Sequence, residues 1–204
     1  SRRQRQMCIR DRGNVGFSQV DSVYIVKGDS VLAVYATTDV DSVIFYTPNP
    51  IDTTTNSTIT DVDGNVYTSV TIGTQEWMVE NLRTTKYNDG TAIPNVTGST
   101  AWISLSTGAW CNYDNSSSND ATYGKLYNWY AVNTSKLCPT GWHVPTDAEW
   151  TVLEEYLTAD GHSGSEGTAL KSTSGWENDG NGTDDYGFLG LPGGSRYSGS
   201  YGNY

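Results

Sequence analysis

GWHVPTDAEW (Gly141–Trp150) is the stretch on which the reading of this chain turns. Within it, Thr146-Asp147-Ala148-Glu149 has the form of a capping box. The threonine hydroxyl accepts from the amide three residues on, and the glutamate carboxylate reaches back to the amide of the cap. Asp147 and Glu149 also stand where the helix dipole is positive. Trp150, Leu153 and Leu157 follow at i, i+3 and i+7, one apolar stripe of a helix that Gly161 ends.

Upstream, a second helix is expected over roughly Thr122–Val132, with Leu126, Trp129 and Tyr130 on one face. Before it runs Thr84–Asn119, rich in Asn, Gly, Ser and Thr. Loop chain of that length inside a compact domain is usually functional when ordered. Further back, Asp63-Gly64 marks a turn, and Val66, Val70 and Ile72 alternate with polar residues as a half-buried strand. Gly73-Thr74-Gln75 turns the chain into Trp77–Val79. Residues 13–57 read differently. Ser22–Val26 and Ser30–Tyr35 flank Lys27-Gly28-Asp29 as a hairpin, and Ser42–Thr47 is a third strand. Three short strands are too few for an immunoglobulin-like sandwich but fit the tail of one. Pro48 and Pro50 end the run, and Asp52–Ser57 is a linker.

The composition is that of an aromatic-rich, lysine-poor domain. Among 204 residues there are 14 tyrosines and 7 tryptophans, too many for a disordered chain, and the net charge is -11. Phosphate backbones are bound by basic stripes, so nucleic acid is excluded as a partner. No apolar run approaches the ~18 residues of a membrane-crossing helix. Five of the 12 basic residues fall in residues 1–12 (Arg2, Arg3, Arg5, Arg10, Arg12), a segment unlike anything after it. It lacks the apolar stretch of a signal peptide and is read as non-native.

From Thr58 onward the sequence resembles the Fibrobacter succinogenes major paralogous domain, a family of bacterial surface and secreted proteins. Thr60–Thr97, Ala121–Trp150 and GFLGLPGGSR (Gly187–Arg196) carry the resemblance, the middle stretch most specifically. The family is similar to the C-type-lectin-like fold and, around Trp142–Trp150, to the formylglycine-generating sulfatase-modifying proteins. The resemblance implies an α+β domain with two short helices, irregular antiparallel strands and a face of long loops. It also implies closing strands beyond Tyr204, with a further cysteine as the partner of Cys138.

The site candidates follow from these two sources. Trp102, Trp110, Tyr113 and Trp176 lie in polar loops, where a ring either stacks on a sugar face or pins the loop to the domain. Asp179, Asn181, Asp184 and Asp185 form an oxygen-rich, glycine-punctuated segment. It would hold calcium or simply turn the chain, and it lacks the spacing of an EF-hand loop. Cys111 and Cys138 are disulfide candidates, with each other or with partners elsewhere. Neither lies beside a His or Lys that would activate a thiolate. His143 stands next to the capped helix as a structural hydrogen-bonding group, with no nucleophile motif near it. The expected function is therefore that of a non-enzymatic binding module, extracellular or on the cell surface, for polysaccharide or a surface protein. A structural or adhesive display domain is the alternative. An oxidase of the sulfatase-modifying type is the weakest, since the resemblance supplies none of that chemistry's cysteines here.

Overall fold

The computed structural model describes residues 7–11, 22–27, 30–36 and 59–202, in two compact units. The smaller unit, Gly13–Thr55, contains the expected hairpin: β2 (Ser22–Lys27) pairs antiparallel with β3 (Ser30–Ala36), with a register shift between Ile25 and Val26. The third strand, Ser42–Thr47, and the linker lie outside the described residues.

The larger unit mixes short antiparallel ladders with short helices, as the α+β expectation required. β4 (Ile59–Thr60) and β5 (Val66–Tyr67) form a hairpin across Asp61–Asn65. Its turn is a buried carboxylate satisfied from all sides. Asp61 accepts from the Asp63 and Asn65 amides, the Asn65 side chain and the Tyr67 hydroxyl. The turn reading of Asp61–Gly64 therefore holds. β6 (Ser69–Ile72) and β7 (Gln75–Met78) make a second hairpin at Gly73, whose φ is 59°. A Cβ there would come within 2.8 Å of the Tyr156 ring, so the tight turn and the helix packing both call for glycine.

β1 (Ile9–Asp11) joins the far side of β7, giving the order β1-β7-β6. Ile9 also exchanges both backbone hydrogen bonds with His143. Strand alternation splits this segment between two cores. Cys8 enters one with Tyr67, Met78, Leu82, Tyr127, Leu137 and Trp142. Met7 and Ile9 enter the other with Ile72, Trp77, Leu153, Leu157 and Phe188. Cys8 is disulfide-bonded to Cys138 across 130 residues, and Arg10 pairs with Glu76 beside Trp142. Two expectations are corrected. The partner of Cys138 is Cys8, not a cysteine beyond Tyr204, and Cys111 is a buried free thiol rather than half of a disulfide. Residues 7–11, set apart by composition, are packed into the fold of this chain.

The next stretch, Thr84–Asn119, is less irregular than its composition implies. It holds α1 (Ser99–Ile103), isolated bridges Lys86–Ala92 and Asn95–Trp110, and β8 (Trp110–Cys111), which pairs with β9 (Leu126–Tyr127). The helix expected over 122–132 is also corrected: it breaks into α2 (Asp120–Tyr123), β9 and α3 (Trp129–Val132). Gly124 is the cause. Its φ is 69°, and a Cβ there would sit 2.7 Å from the Leu82 carbonyl, so the chain turns and Lys125 donates its amide to Leu82 instead. Asn128 then caps α3 through the Ala131 amide. The outcome rotates the expected apolar face outward: Trp129 is 59% exposed and Tyr130 48%, while Ala131 and Val132 are buried.

α4 (Asp147–Leu157) keeps the expected form. The Thr146 hydroxyl accepts from the Glu149 amide, and the Glu149 carboxylate accepts from the Thr146 amide at 2.6 Å. Leu153 and Leu157 are buried, and Trp150 packs against Trp77 with ring centroids 4.7 Å apart. The last turn is a π-type turn, Thr158–His162, closed at Gly161 with φ 100°, and leads to α5 (Glu166–Leu170).

Burial pushes the Glu149 carboxyl up, but the Thr146 amide, His143 and the Thr146 hydroxyl outweigh it and hold it below the usual glutamate range. Burial likewise opposes ionisation of Asp63, yet the Thr85 amide, Lys86 and the Thr85 hydroxyl bring it down to about 2. Both groups have folded pKa values below their unfolded ones. Their stabilisation is thus fully present above the unfolded values, about pH 5 for Glu149 and about pH 4 for Asp63, and is lost as pH falls through the folded values. Asp63→Asn is expected to flatten the acid limb of a urea-denaturation series between about pH 4 and pH 2; an unchanged limb would refute that role. Cys8→Ser is expected to lower stability by about 2–5 kcal/mol. An unaltered urea midpoint would instead show that the Cys8–Cys138 disulfide adds nothing to stability.

Candidate functional site

Three loop stretches converge on one face: residues 96–119, residues 175–194 and the hairpin of β10 (Ser195–Tyr197) and β11 (Ser200–Gly202). The anchor is Arg196. Its guanidinium donates to the Val96 and Thr97 carbonyls at 2.8 and 2.7 Å, and lies over the rings of Trp102 (4.5 Å) and Tyr201 (5.0 Å). Tyr201 in turn meets the edge of Tyr113 at 5.4 Å and donates its hydroxyl to Asn115. Ser99 donates to the Gly199 carbonyl. Cations, rings and backbone carbonyls thus close the loops over one another where aliphatic side chains are few.

Between the loops lies a cleft of about 200 Å³ lined by Tyr113, Asn119, Tyr123, Gly175, Glu177 and the Pro192–Gly194 turn. Gly194, at φ 67°, packs its α-carbon against the Tyr113 ring, and a Cβ would reach 2.4 Å from that ring. The LPGG segment is therefore a wall of the cleft as well as a mark of the fold. Asn119 donates to the Tyr113 carbonyl, and Asn81 to the Tyr123 carbonyl. A larger groove of about 720 Å³ runs between α4 and α5, bounded by Trp150, Leu153, Leu157 and Leu170. Its walls continue the core, and none of the four loop aromatics reaches it.

The four aromatics named from sequence divide in two. Tyr113 lines the cleft, and Trp102 joins it through Arg196 and Tyr201. Trp110 and Trp176 act as pins. Trp110 donates its indole N–H to the Ile93 carbonyl and carries the Lys125 ammonium 4.6 Å from its ring. Trp176 donates to the Gly190 carbonyl beneath Lys171 at 4.7 Å. The cleft residues Asn119, Tyr123 and Glu177, with Arg196 and Tyr201 behind them, were not visible as a site in the sequence. The one available signal was GFLGLPGGSR, legible only as a family mark.

The oxygen-rich segment turns the chain. Asp184 accepts from the Leu189 amide, Asp185 from the Thr183 hydroxyl and Asn181 from the Trp176 amide. Asp179 is exposed at φ 57°. Among the described residues no three His, Cys, Asp or Glu side chains are placed to hold a metal ion. His143 has the structural task expected of it, with Nε2 2.6 Å from the Glu149 carboxylate. No described helix is long and apolar enough to cross a membrane.

The family model for the Fibrobacter succinogenes major domain matches residues 70–204, most of the larger unit and about two thirds of the chain. The chain belongs to that family. Neither a curated protein nor a solved structure matches it. In this member of the Fibrobacter succinogenes major domain family, all three loop stretches of the candidate face fall within the matched residues, whereas β1 and Cys8 precede them.

Cys111 is fully buried beside Arg196 and Tyr201. Burial raises its pKa, and the partial offset from Arg196 and Tyr201 leaves it above the ordinary thiol value; Tyr201 is pushed up to about 12 by burial and then by Cys111. A buried thiol with a raised pKa is a poor nucleophile. Cys111 is expected to resist dithionitrobenzoate in the native protein at pH 8 and to react fully in denaturant. Rapid native labelling would contradict this placement.

Proposed function

We propose that this domain is a non-catalytic glycan-binding module of the bacterial exterior, with a C-type-lectin-like arrangement in which the loops carry the ligand face. The observation that carries the reading is the cleft itself. Tyr113 supplies a ring, Asn119 an amide and Glu177 a carboxylate, all held by an Arg196-centred scaffold. A sugar presents matching needs in small compass: an apolar ring face and a rim of hydroxyls. At about 200 Å³ the cleft is smaller than the ~300–1,000 Å³ pockets that enclose drug-sized ligands, which fits a site taking one residue of a polymer at a time. Tyr197, 82% exposed on β10 of the same face, offers further ring surface for an extended chain.

Nothing in the site favours catalysis. Cys111 is buried, and His143 is engaged with Glu149 away from the cleft lining. The sulfatase-modifying reading would need an accessible reactive thiol, and the cleft lining contains none.

A glycan array and pull-downs on insoluble polysaccharides test the reading. At least one glycan class is expected to be retained, and Tyr113→Ala to weaken retention about tenfold, the loss of one stacked ring being on the order of 1 kcal/mol or more. A folded protein that retains no glycan would sink the proposal and leave the display or adhesion role.

A further inference from the structure

We infer that the cleft selects uncharged and amine-bearing glycans against anionic ones, with Glu177 as the group that reads the charge; this rests on the glycan-binding reading above. Residues 59–202 contain six Lys and Arg against seventeen Asp and Glu. Each of the six cations already has a partner. Lys86, Lys125 and Lys136 are paired with Asp63, Asp120 and Asp89. Arg83 donates to the Val66 carbonyl over Tyr67. Lys171 donates to the Gly180 carbonyl over Trp176, and Arg196 is held between Val96, Thr97 and its two rings.

The cleft follows the same pattern. No cation lines it, and its one charged side chain is Glu177. Among the described residues the Glu177 carboxylate accepts no hydrogen bond, in contrast to Asp120, whose carboxylate is answered by Lys125. A uronate or sulfate in the cleft would meet Glu177 without a compensating cation and would have to displace an existing pair elsewhere to find one. An ammonium would gain the unused carboxylate. An uncharged sugar would meet it through hydroxyls alone. Glu177 is exposed, so its effect is a screened one of a few-fold, strongest at low salt, while the excess of carboxylates disfavours the approach of polyanions over a longer range.

Three oligosaccharides of equal length separate the cases by titration calorimetry on the full chain: oligoglucosamine, its N-acetylated form and oligogalacturonate, each at 20 mM and 150 mM salt. The expected order at low salt is oligoglucosamine above the N-acetylated oligomer by about threefold, and the N-acetylated oligomer above oligogalacturonate by about threefold or more. The advantage should shrink at 150 mM salt, and in Glu177→Gln oligoglucosamine should fall to the affinity that the same variant shows for the N-acetylated oligomer. Oligogalacturonate binding as tightly as the others, or an order that Glu177→Gln does not alter, overturns the charge selection and leaves the glycan reading standing. Failure of all three oligomers, together with an empty glycan array, overturns the glycan reading and the selection with it.

Discussion

Glu149 ties together the start of α4, the chain that leads into it and the neighbouring sheet. One carboxylate oxygen takes the Thr146 amide and hydroxyl and so starts α4, while the other meets His143 at 2.6 Å. Its carbonyl accepts from Gln75 of β7. One residue therefore fixes the helix start, the approach of the chain into it and the docking of helix against sheet. Trp150 is the next residue, and its place on Trp77 and Phe188 depends on that docking. Few aliphatic side chains are available to hold these elements in place by bulk alone. Specific hydrogen bonds and ring contacts take over that task, which is why the GWHVPTDAEW stretch is so distinctive.

The same economy shapes the loop face. Lys125 is 5% exposed, and it is tolerable there because Asp120 and the face of Trp110 replace the water it has lost. Arg196 performs the same service among Val96, Thr97, Trp102 and Tyr201. Using Lys125 and Arg196 as internal fasteners leaves the cleft lining to rings, an amide and a carboxylate. The chemistry of the cleft is thus a by-product of how the loops are held.

What was legible in the sequence was local and periodic. The capping box, the 73–75 turn, the hairpin at 27–30 and the Asp61–Gly64 turn are decided by neighbours within a few residues, and they appear as read. The helix over 122–132 was misread because Gly124 has no periodic signature. Its turn is imposed by Leu82, some forty residues away. The outward Trp129 follows from that same break. Cys138 was assigned a partner by resemblance, and the actual pairing depends on a strand separated from its sheet by a whole unit.

The site was half legible for a related reason. Sequence marks which residues are able to bind, and four aromatics in polar loops were marked; it does not mark which ring faces are already covered. Trp110 and Trp176 each have an indole N–H satisfied by a carbonyl and a lysine over the ring. Such a ring has at most one face left, and its orientation is set by the fold rather than by a ligand. Tyr113 is different in that it lines the cleft, with the Gly194 backbone packed against part of its ring and Tyr201 against another part. Any side chain at Gly194 would collide with the Tyr113 ring, so glycine is what lets this turn pack so closely beside the cleft. That place in the cleft wall, rather than the number of aromatics, separates Tyr113 from the two pins.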